Sequence, residues 1–78
     1  MYPDDKEVLR LFSERIRALR KEKNLTQSSL SAGANIEKSL VQRIERGGSN
    51  ITLKTMINLS NGFDITLKEL LDFSIKKE

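Results

Sequence analysis

The sequence predicts an all-α fold, a compact bundle of five helices that forms one domain. Apolar residues recur every three to four positions along most of the chain, which is the spacing of one buried helix face. Residues that cap or end helices divide this pattern into five segments joined by short connections. With 78 residues, the chain has the length of a single domain.

The first helix is expected over residues 5–23. Asp4 or Asp5 caps its N-terminus, and Asn24 ends it in the left-handed conformation. The residues expected to face the core follow a helical spacing: Leu9, Phe12, Ile16 and Leu19. The basic residues at its end suit the negative pole of the helix dipole. For Arg20, the alternative is a contact with phosphate.

The next two helices are short and flank a tight turn. We expect them over residues 26–32, with Thr26 as the N-cap, and over residues 37–46, before a pair of glycines. In the turn between them, Gly33 and Asn35 are the residues that accept a left-handed backbone most readily.

The third helix has two unlike faces. Its apolar residues form one buried face: Leu40, Val41 and Ile44. The opposite face consists of hydrogen-bond donors: Lys38, Ser39, Gln42, Arg43 and Arg46. That face is too polar for a core and suits base edges and phosphates. Glu37 is expected as the N-cap of this helix, and Glu45 as a partner of arginines in the first helix.

The fourth helix is expected over residues 53–61, with Thr52 as its N-cap and Asn61-Gly62 as its end. Four of its apolar residues are expected to be largely buried: Leu53, Met56, Ile57 and Leu59. Phe63 and Ile65 follow and are expected to fill the core.

The fifth helix is expected over residues 67–75, with a capping box formed by Thr66 and Glu69. It has more apolar residues than one buried face needs: Leu67, Leu70, Leu71, Phe73 and Ile75. Contact with a second copy of the chain is one explanation. A domain of this size without disulfides is only marginally stable alone, which also favours a homodimer.

Positive charge is concentrated in part of the chain, although the net charge is only +3. Residues 10–46 hold nine cations against four anions, whereas residues 47–78 hold four of each. This distribution is typical of a surface that faces a polyphosphate. The alternative is that these basic helices are simply solvated.

The composition argues against several classes of protein. The chain has no Cys and no His, and we find neither a Gly-rich phosphate loop nor a spaced pair of carboxylates. We therefore expect no enzyme, no metal, no cofactor and no small-molecule ligand. No apolar run approaches the roughly 20 residues needed to cross a membrane, and the N-terminus lacks a signal-peptide core. We expect a cytoplasmic protein without membrane contact.

The ordered residues around the second and third helices resemble the helix-turn-helix of Xre-type regulators, the class of the lambda repressor and Cro. The resemblance covers about residues 9–72 and rests on these segments: Arg15–Lys23, Leu25-Thr26-Gln27, Leu30, Ile36, Val41, Ile44-Glu45-Arg46-Gly47 and Asn50-Ile51-Thr52-Leu53. The sequence departs from the family pattern at Ser31, where Ala is usual, and at Asn35, where Gly is usual. Ser31 is small enough for the contact between the two helices, and Asn35 accepts the left-handed conformation of the turn, so neither replacement argues against the motif.

This resemblance implies a sequence-specific transcriptional regulator that binds double-stranded DNA. A dimer would place two third helices in successive major grooves, about 34 Å apart, over a pseudo-palindromic operator. Matched to the family, three residues correspond to base-contacting positions and Gln42 lies beside them: Lys38, Ser39 and Arg43.

Contacts with phosphate are expected on both sides of the third helix. Gln27, with Ser28 beside it, lies at a helix N-terminus, where free N–H groups and partial positive charge attract anions; the alternative is that Gln27 only helps to cap the helix. The family loop beside DNA adds three candidates: Ser49, Asn50 and Lys54. The expected dimer contacts lie further along: Ile65, Leu67, Leu70 and Phe73.

Small proteins of this class include phage repressors, restriction–modification controller proteins and antitoxins. The segment Asn50–Leu53, and a length that accommodates the five helices and little more, favour a controller protein. The alternative is an antitoxin or another protein-interaction module that uses the surface of the fourth and fifth helices. The donors on the third helix favour DNA binding, because a domain without that function would not need them.

Overall fold

The computed structural model describes residues 4–47 and 49–73. Five helices follow one another along the chain: α1 (Asp5–Glu22), α2 (Gln27–Ala34), α3 (Lys38–Arg46), α4 (Leu53–Phe63) and α5 (Leu67–Leu70). The described residues include no strand. The prediction of an all-α, five-helix fold is confirmed.

Four helices begin at a side-chain cap that the sequence predicted. Asp4 accepts a hydrogen bond from the backbone N–H of Glu7 at 2.9 Å and so caps α1. The caps of the other three are threonines, each bonded to the N–H three residues later: Thr26, Thr52 and Thr66. Glu37 occupies the N-cap position of α3, but its side chain makes no capping hydrogen bond. These short-range contacts fix where the chain enters each helix.

The helix ends differ from the prediction at two glycines. Asn24, Asn35 and Asp64 adopt the left-handed conformation, with φ of 56°, 56° and 58°. Gly33 and Gly62, which were expected at or after helix ends, lie inside α2 and α4. A Cβ added to Gly62 would lie 2.9 Å from the Cβ of Ala34 on α2. Gly62 is therefore needed for the close approach of the two helices.

The core lies where α2 packs against both α3 and α4, with α1 against α3 and α5 against α4. Its buried apolar side chains come from all five helices: Phe12, Ile16, Leu19, Leu30, Ala34, Val41, Ile44, Leu59, Phe63 and Leu70. The predicted burial of Leu53 and Ile57 is wrong, because these side chains are 58% and 45% exposed. The predicted burial of Leu59 is confirmed, and Met56 is half-buried.

Helix α5 is shorter than predicted. Its capping box forms as expected, since the Glu69 carboxylate accepts the N–H of Thr66 at 3.0 Å. The helix nevertheless ends at Leu70, and the Phe73 ring packs edge-on against that of Phe12, with centroids 6.4 Å apart. The chain leaves the helix to return to α1. Residues 74 and 75 of the predicted helix lie outside the described residues.

Candidate nucleic-acid interface

The solvent-facing side of α3 carries every base-contacting candidate. Lys38, Ser39, Gln42 and Arg43 are all exposed, as is Arg46 near the end of the helix. Lys38 and Gln42 are four residues apart, as are Ser39 and Arg43, so each pair shares a stripe of the helix surface. The inner side is anchored by three buried residues: Val41, Ile44 and Glu45.

The first turn of α2 lies beside the start of α3. The first N–H groups of an α-helix have no partner within the helix. Here the Thr26 hydroxyl accepts the hydrogen bond of only one of them, the N–H of Ser29. The N–H groups of Gln27 and Ser28 are thus available to an anion at the positive pole of α2. A concavity of about 590 Å³ brings this turn together with Lys38 and Arg20. Phosphate-contacting and base-contacting candidates therefore border one surface.

Arg20 uses its guanidinium mainly within the chain. It donates to the Glu45 carboxylate from Nε at 2.7 Å and from a terminal nitrogen at 3.0 Å, and to the Leu25 carbonyl at 3.1 Å. Its side chain is only 19% exposed. The hydrogen bonds that Arg20 donates to Glu45 raise the pKa of Arg20 above its ordinary value, so the guanidinium stays charged. Arg20 borders the concavity but chiefly joins α1 to α3.

Glu45 is the buried centre of this arrangement, with a residue exposure of 6%. The predicted pairing of Glu45 with an arginine of α1 is confirmed by Arg20. Its carboxylate also accepts a hydrogen bond from the Gln27 side-chain amide at 3.1 Å. Its main-chain carbonyl accepts one from Arg17. The contact with Gln27 was not predicted, because it requires α2 and α3 to be packed at a particular angle.

The remaining phosphate-contacting candidates lie at the other end of α3. Ser49 is half-buried, whereas Asn50 and Lys54 are exposed. Asn50 lines a second concavity, of about 610 Å³, together with Arg17 and Arg46. The structure thus separates the phosphate-contacting candidates into two groups. It also adds two cations to the loop group. The place of Arg46 on the exposed face of α3 could be predicted from helical spacing in the sequence. The place of Arg17 beside the loop could not, because it depends on how α1 packs against α3.

The dimer candidates are less accessible than expected. Leu70 is fully buried in the core, and three others are half-buried against it: Ile65, Leu67 and Phe73. The large apolar side chains that reach solvent in the described part of the chain are Leu53, Ile57 and Leu71. We call these three residues the apolar face.

Residues 4–47 and 49–73 offer neither a metal-binding cluster nor a membrane-spanning helix. These residues contain no group of three or more Cys, His, Asp or Glu side chains placed to hold a metal ion. Within the same residues, none of the helices combines the length and apolarity that a membrane span requires.

Comparisons with known proteins place this geometry in a family. A family model described as helix-turn-helix matches residues 16–70. The control protein C.MunI of Mycoplasma sp is 37% identical over 68 residues, which cover 86% of this chain and 90% of that protein. The restriction–modification controller protein C.AhdI of Aeromonas hydrophila has a crystal structure with a TM-score of 0.78 and 34% identity, covering 82% and 97% of the two chains.

A further controller protein, C.Esp1396I, has been solved bound to a 19 base pair DNA duplex. It is 29% identical with a TM-score of 0.74, covering 81% of this chain and 88% of the other. The family model spans most of the chain, and the controller proteins are similar to it in both sequence and fold. The chain therefore belongs to the Xre-type helix-turn-helix family, as the ordered residues of its sequence predict.

Proposed function

We propose that this chain is a sequence-specific, DNA-binding transcriptional regulator of the controller type, which binds its operator as a homodimer. One observation carries the proposal: Lys38, at the start of the exposed donor face of α3, lines one concavity together with the first turn of α2 and its free N–H groups. The relatives named as controller proteins, one of them solved with DNA, support the same conclusion. The family consists of regulators and not of enzymes.

In this mechanism, α3 enters the major groove and reads base edges. Lys38 and Arg43 donate to O6 and N7 of guanine, while Gln42 pairs with N6 and N7 of adenine. Ser39, near the start of the helix, reaches the same groove. All four side chains are exposed and free of the core, so they can be presented without rearrangement of the fold.

Phosphate contacts fix the register of α3 from both of its ends. Gln27 and Ser28 hold one phosphate through the first turn of α2, while Ser49, Asn50 and Lys54 hold another through the loop and the start of α4. A helix clamped on both sides has little freedom to slide or tilt in the groove, which makes the base contacts selective. Before DNA binds, Glu45 already occupies much of the hydrogen-bonding capacity of Arg20. Arg20 therefore stabilises the packing beneath this surface and does not itself provide the main phosphate contact.

In this proposal the dimer forms through the apolar face, and the half-buried Ile65, Leu67 and Phe73, which pack against the core, contribute at its edge. Leu53 and Ile57 are one turn apart on α4, so they form a continuous stripe, and Leu71 follows α5, which packs on α4. A second copy buries this stripe against its own equivalent in a two-fold interface. Such a pair presents two α3 helices to an operator with matching two-fold symmetry.

A selection of randomised duplexes against the purified protein tests the proposal, followed by titration of the selected duplex at two salt concentrations. We expect an inverted repeat that is bound far more tightly than random DNA, with affinity falling as salt rises. Failure to enrich any motif, with weak salt-sensitive binding or none, would contradict the proposal. That result would transfer the function to the apolar face and a protein partner. We place the regulator in the cytoplasm, where its DNA is.

A further inference from the structure

We infer that Glu45 is the positioning residue of the DNA interface, because it holds the Gln27 amide in the orientation that a phosphate requires. This inference rests on the proposed function and deepens it. Glu45 itself is buried and does not reach DNA. It acts through Gln27, which lies in the first turn of α2 beside the N–H groups available to an anion.

The Glu45 carboxylate is shared between two donors on different helices. Its Oε2 accepts the Nε–H of Arg20 at 2.7 Å, and its Oε1 accepts both a terminal N–H of Arg20 at 3.0 Å and the Gln27 amide at 3.1 Å. Arg20 also donates to the carbonyl of Leu25, the residue before the α2 cap. One carboxylate thus fixes α1, the start of α2 and the last turn of α3 relative to one another.

This contact sets which way the Gln27 carboxamide faces. One N–H of the amide is bonded to Glu45, and a rotation that exchanged oxygen and nitrogen would bring the amide oxygen against a carboxylate oxygen. The second N–H is therefore kept in a defined direction, on a side chain that lines the same concavity as the first turn of α2. A side chain that is already ordered loses less conformational entropy when it binds.

A buried carboxylate close to a phosphate would ordinarily repel it. Here the negative charge of Glu45 is neutralised by Arg20 through two parallel hydrogen bonds, a strong and geometrically defined pairing. Glu45 can therefore orient a donor without opposing the anion that the donor binds. Replacing Glu45 by an apolar residue would remove this orientation and leave the charge of Arg20 unpaired in a half-buried place.

A double-mutant cycle on the full chain tests the inference. Glu45→Gln, Gln27→Ala and the double variant are titrated with the selected duplex and with random DNA, at a temperature where circular dichroism shows each variant folded. We expect each single change to weaken binding about tenfold, as the loss of a hydrogen bond to a charged group does. The double variant should be no more than about twofold weaker than Gln27→Ala, because the two residues act through one contact.

The matched control is Glu14→Gln. It removes the same charge from an exposed glutamate that pairs with Arg10 on α1, so it reports the effect of net charge alone. Equal weakening by Glu45→Gln with and without Gln27 would overturn the inference while leaving the proposed function intact. A wild type that binds no duplex at all would overturn both.

A measurement on the free wild type covers the case in which Glu45→Gln does not fold. The chain has two glutamines, Gln27 and the exposed Gln42, so their side-chain amides can be compared within one NMR sample. We expect one amide proton of Gln27 to exchange with solvent more slowly than either proton of Gln42. Equal exchange at both side chains would show that Glu45 does not hold Gln27, and the inference would fall.

Discussion

Helices α3 and α4 each bury one side against α2, but their solvent-facing sides have opposite chemistry. The exposed side of α3 consists of donors, among them Lys38, Gln42 and Arg43. The exposed side of α4 includes Leu53 and Ile57. Solvation alone accounts for the polar side of α3, whereas the apolar side of α4 is unfavourable in water and calls for a partner.

This difference supports the proposal that the fold carries two separate recognition surfaces, one on α3 and one on α4. The α3 surface suits the polyanion of the proposed function, because its exposed donors begin at Lys38, which shares a concavity with the positive pole of α2. The α4 surface suits another apolar surface in that proposal, and Leu71 after α5 is a further exposed apolar side chain. If the two surfaces are independent, changes on α4 will alter assembly without altering base preference. Changes on α3 will do the reverse.

The largest expected effect comes from removing the apolar face. The double change Leu53→Ser and Ile57→Ser should produce a monomer with unchanged affinity for a half-site, because α3 is untouched. Affinity for the full inverted repeat should fall about 100-fold, since the second α3 is no longer held nearby. Sedimentation equilibrium measures the mass, and titration with half and full sites measures the two affinities.

Ala18→Ser on exposed α1 is the matched control, because it makes an apolar-to-serine change at an exposed helical position. It should leave both mass and affinity unchanged. A wild type that sediments as a monomer while still binding the full site tightly would contradict the separation of the two surfaces. So would a loss of half-site affinity in the α4 variant.

The next largest effect is expected on α3. Arg43→Ala should cost roughly 1–3 kcal/mol at one operator position and relax the preference there, because a donor pair to one base is lost. The dimer should be unaffected. A selection repeated with the variant, compared with Arg10→Ala on α1, measures the change. Unchanged affinity and preference would remove Arg43 from the reading surface.

The parts of the fold that depend on near neighbours were predictable from the sequence. The N-caps at Asp4, Thr26, Thr52 and Thr66 join residues three apart, so the local pattern contains all the information. The exposed donors of α3 were predictable for the same reason, since helical spacing alone separates them from Val41 and Ile44.

The parts that depend on how helices pack were not predictable. An apolar residue such as Ile57 signals burial, but its identity does not say whether its own chain or a second copy buries it. A glycine such as Gly62 fits both a helix end and a close helix contact, and the sequence does not distinguish them. The bond between Gln27 and Glu45 depends on the angle between α2 and α3.

A pair of glycine changes tests the packing that positions α4. Gly62→Ala should lower the free energy of unfolding by about 1–3 kcal/mol, because its new Cβ would lie 2.9 Å from Ala34. Gly33→Ala is the matched control: its Cβ would lie 3.6 Å from the Gly62 Cα, an ordinary contact. The gain in helix propensity should make that variant more stable by roughly 0.5 kcal/mol. Urea unfolding of both variants checks the order, and equal effects would show that α2 and α4 are not in tight contact.

The smallest expected effect is a pH-dependent change in stability from the N-terminal cap of α5, the helix that precedes Leu71 of the apolar face. Hydrogen bonds from the N–H and hydroxyl of Thr66 lower the pKa of Glu69 below its ordinary value. Because this pKa is depressed in the folded state, the carboxylate stabilises the fold above its unfolded pKa. That contribution is lost as the pH falls through the folded pKa.

Glu69→Gln keeps an acceptor but does not titrate, so it isolates this effect from the titration of other carboxylates. The wild type should melt at a higher temperature than the variant near neutral pH, and the difference should shrink in acid. Since Glu69 is exposed, the difference should be small. Dimerisation should follow the same trend, because Leu71 belongs to the apolar face, while half-site binding by α3 should not. A pH-independent difference in melting temperature would mean that the charge of Glu69 does not stabilise the cap, and the link between α5 and the apolar face would lose its support.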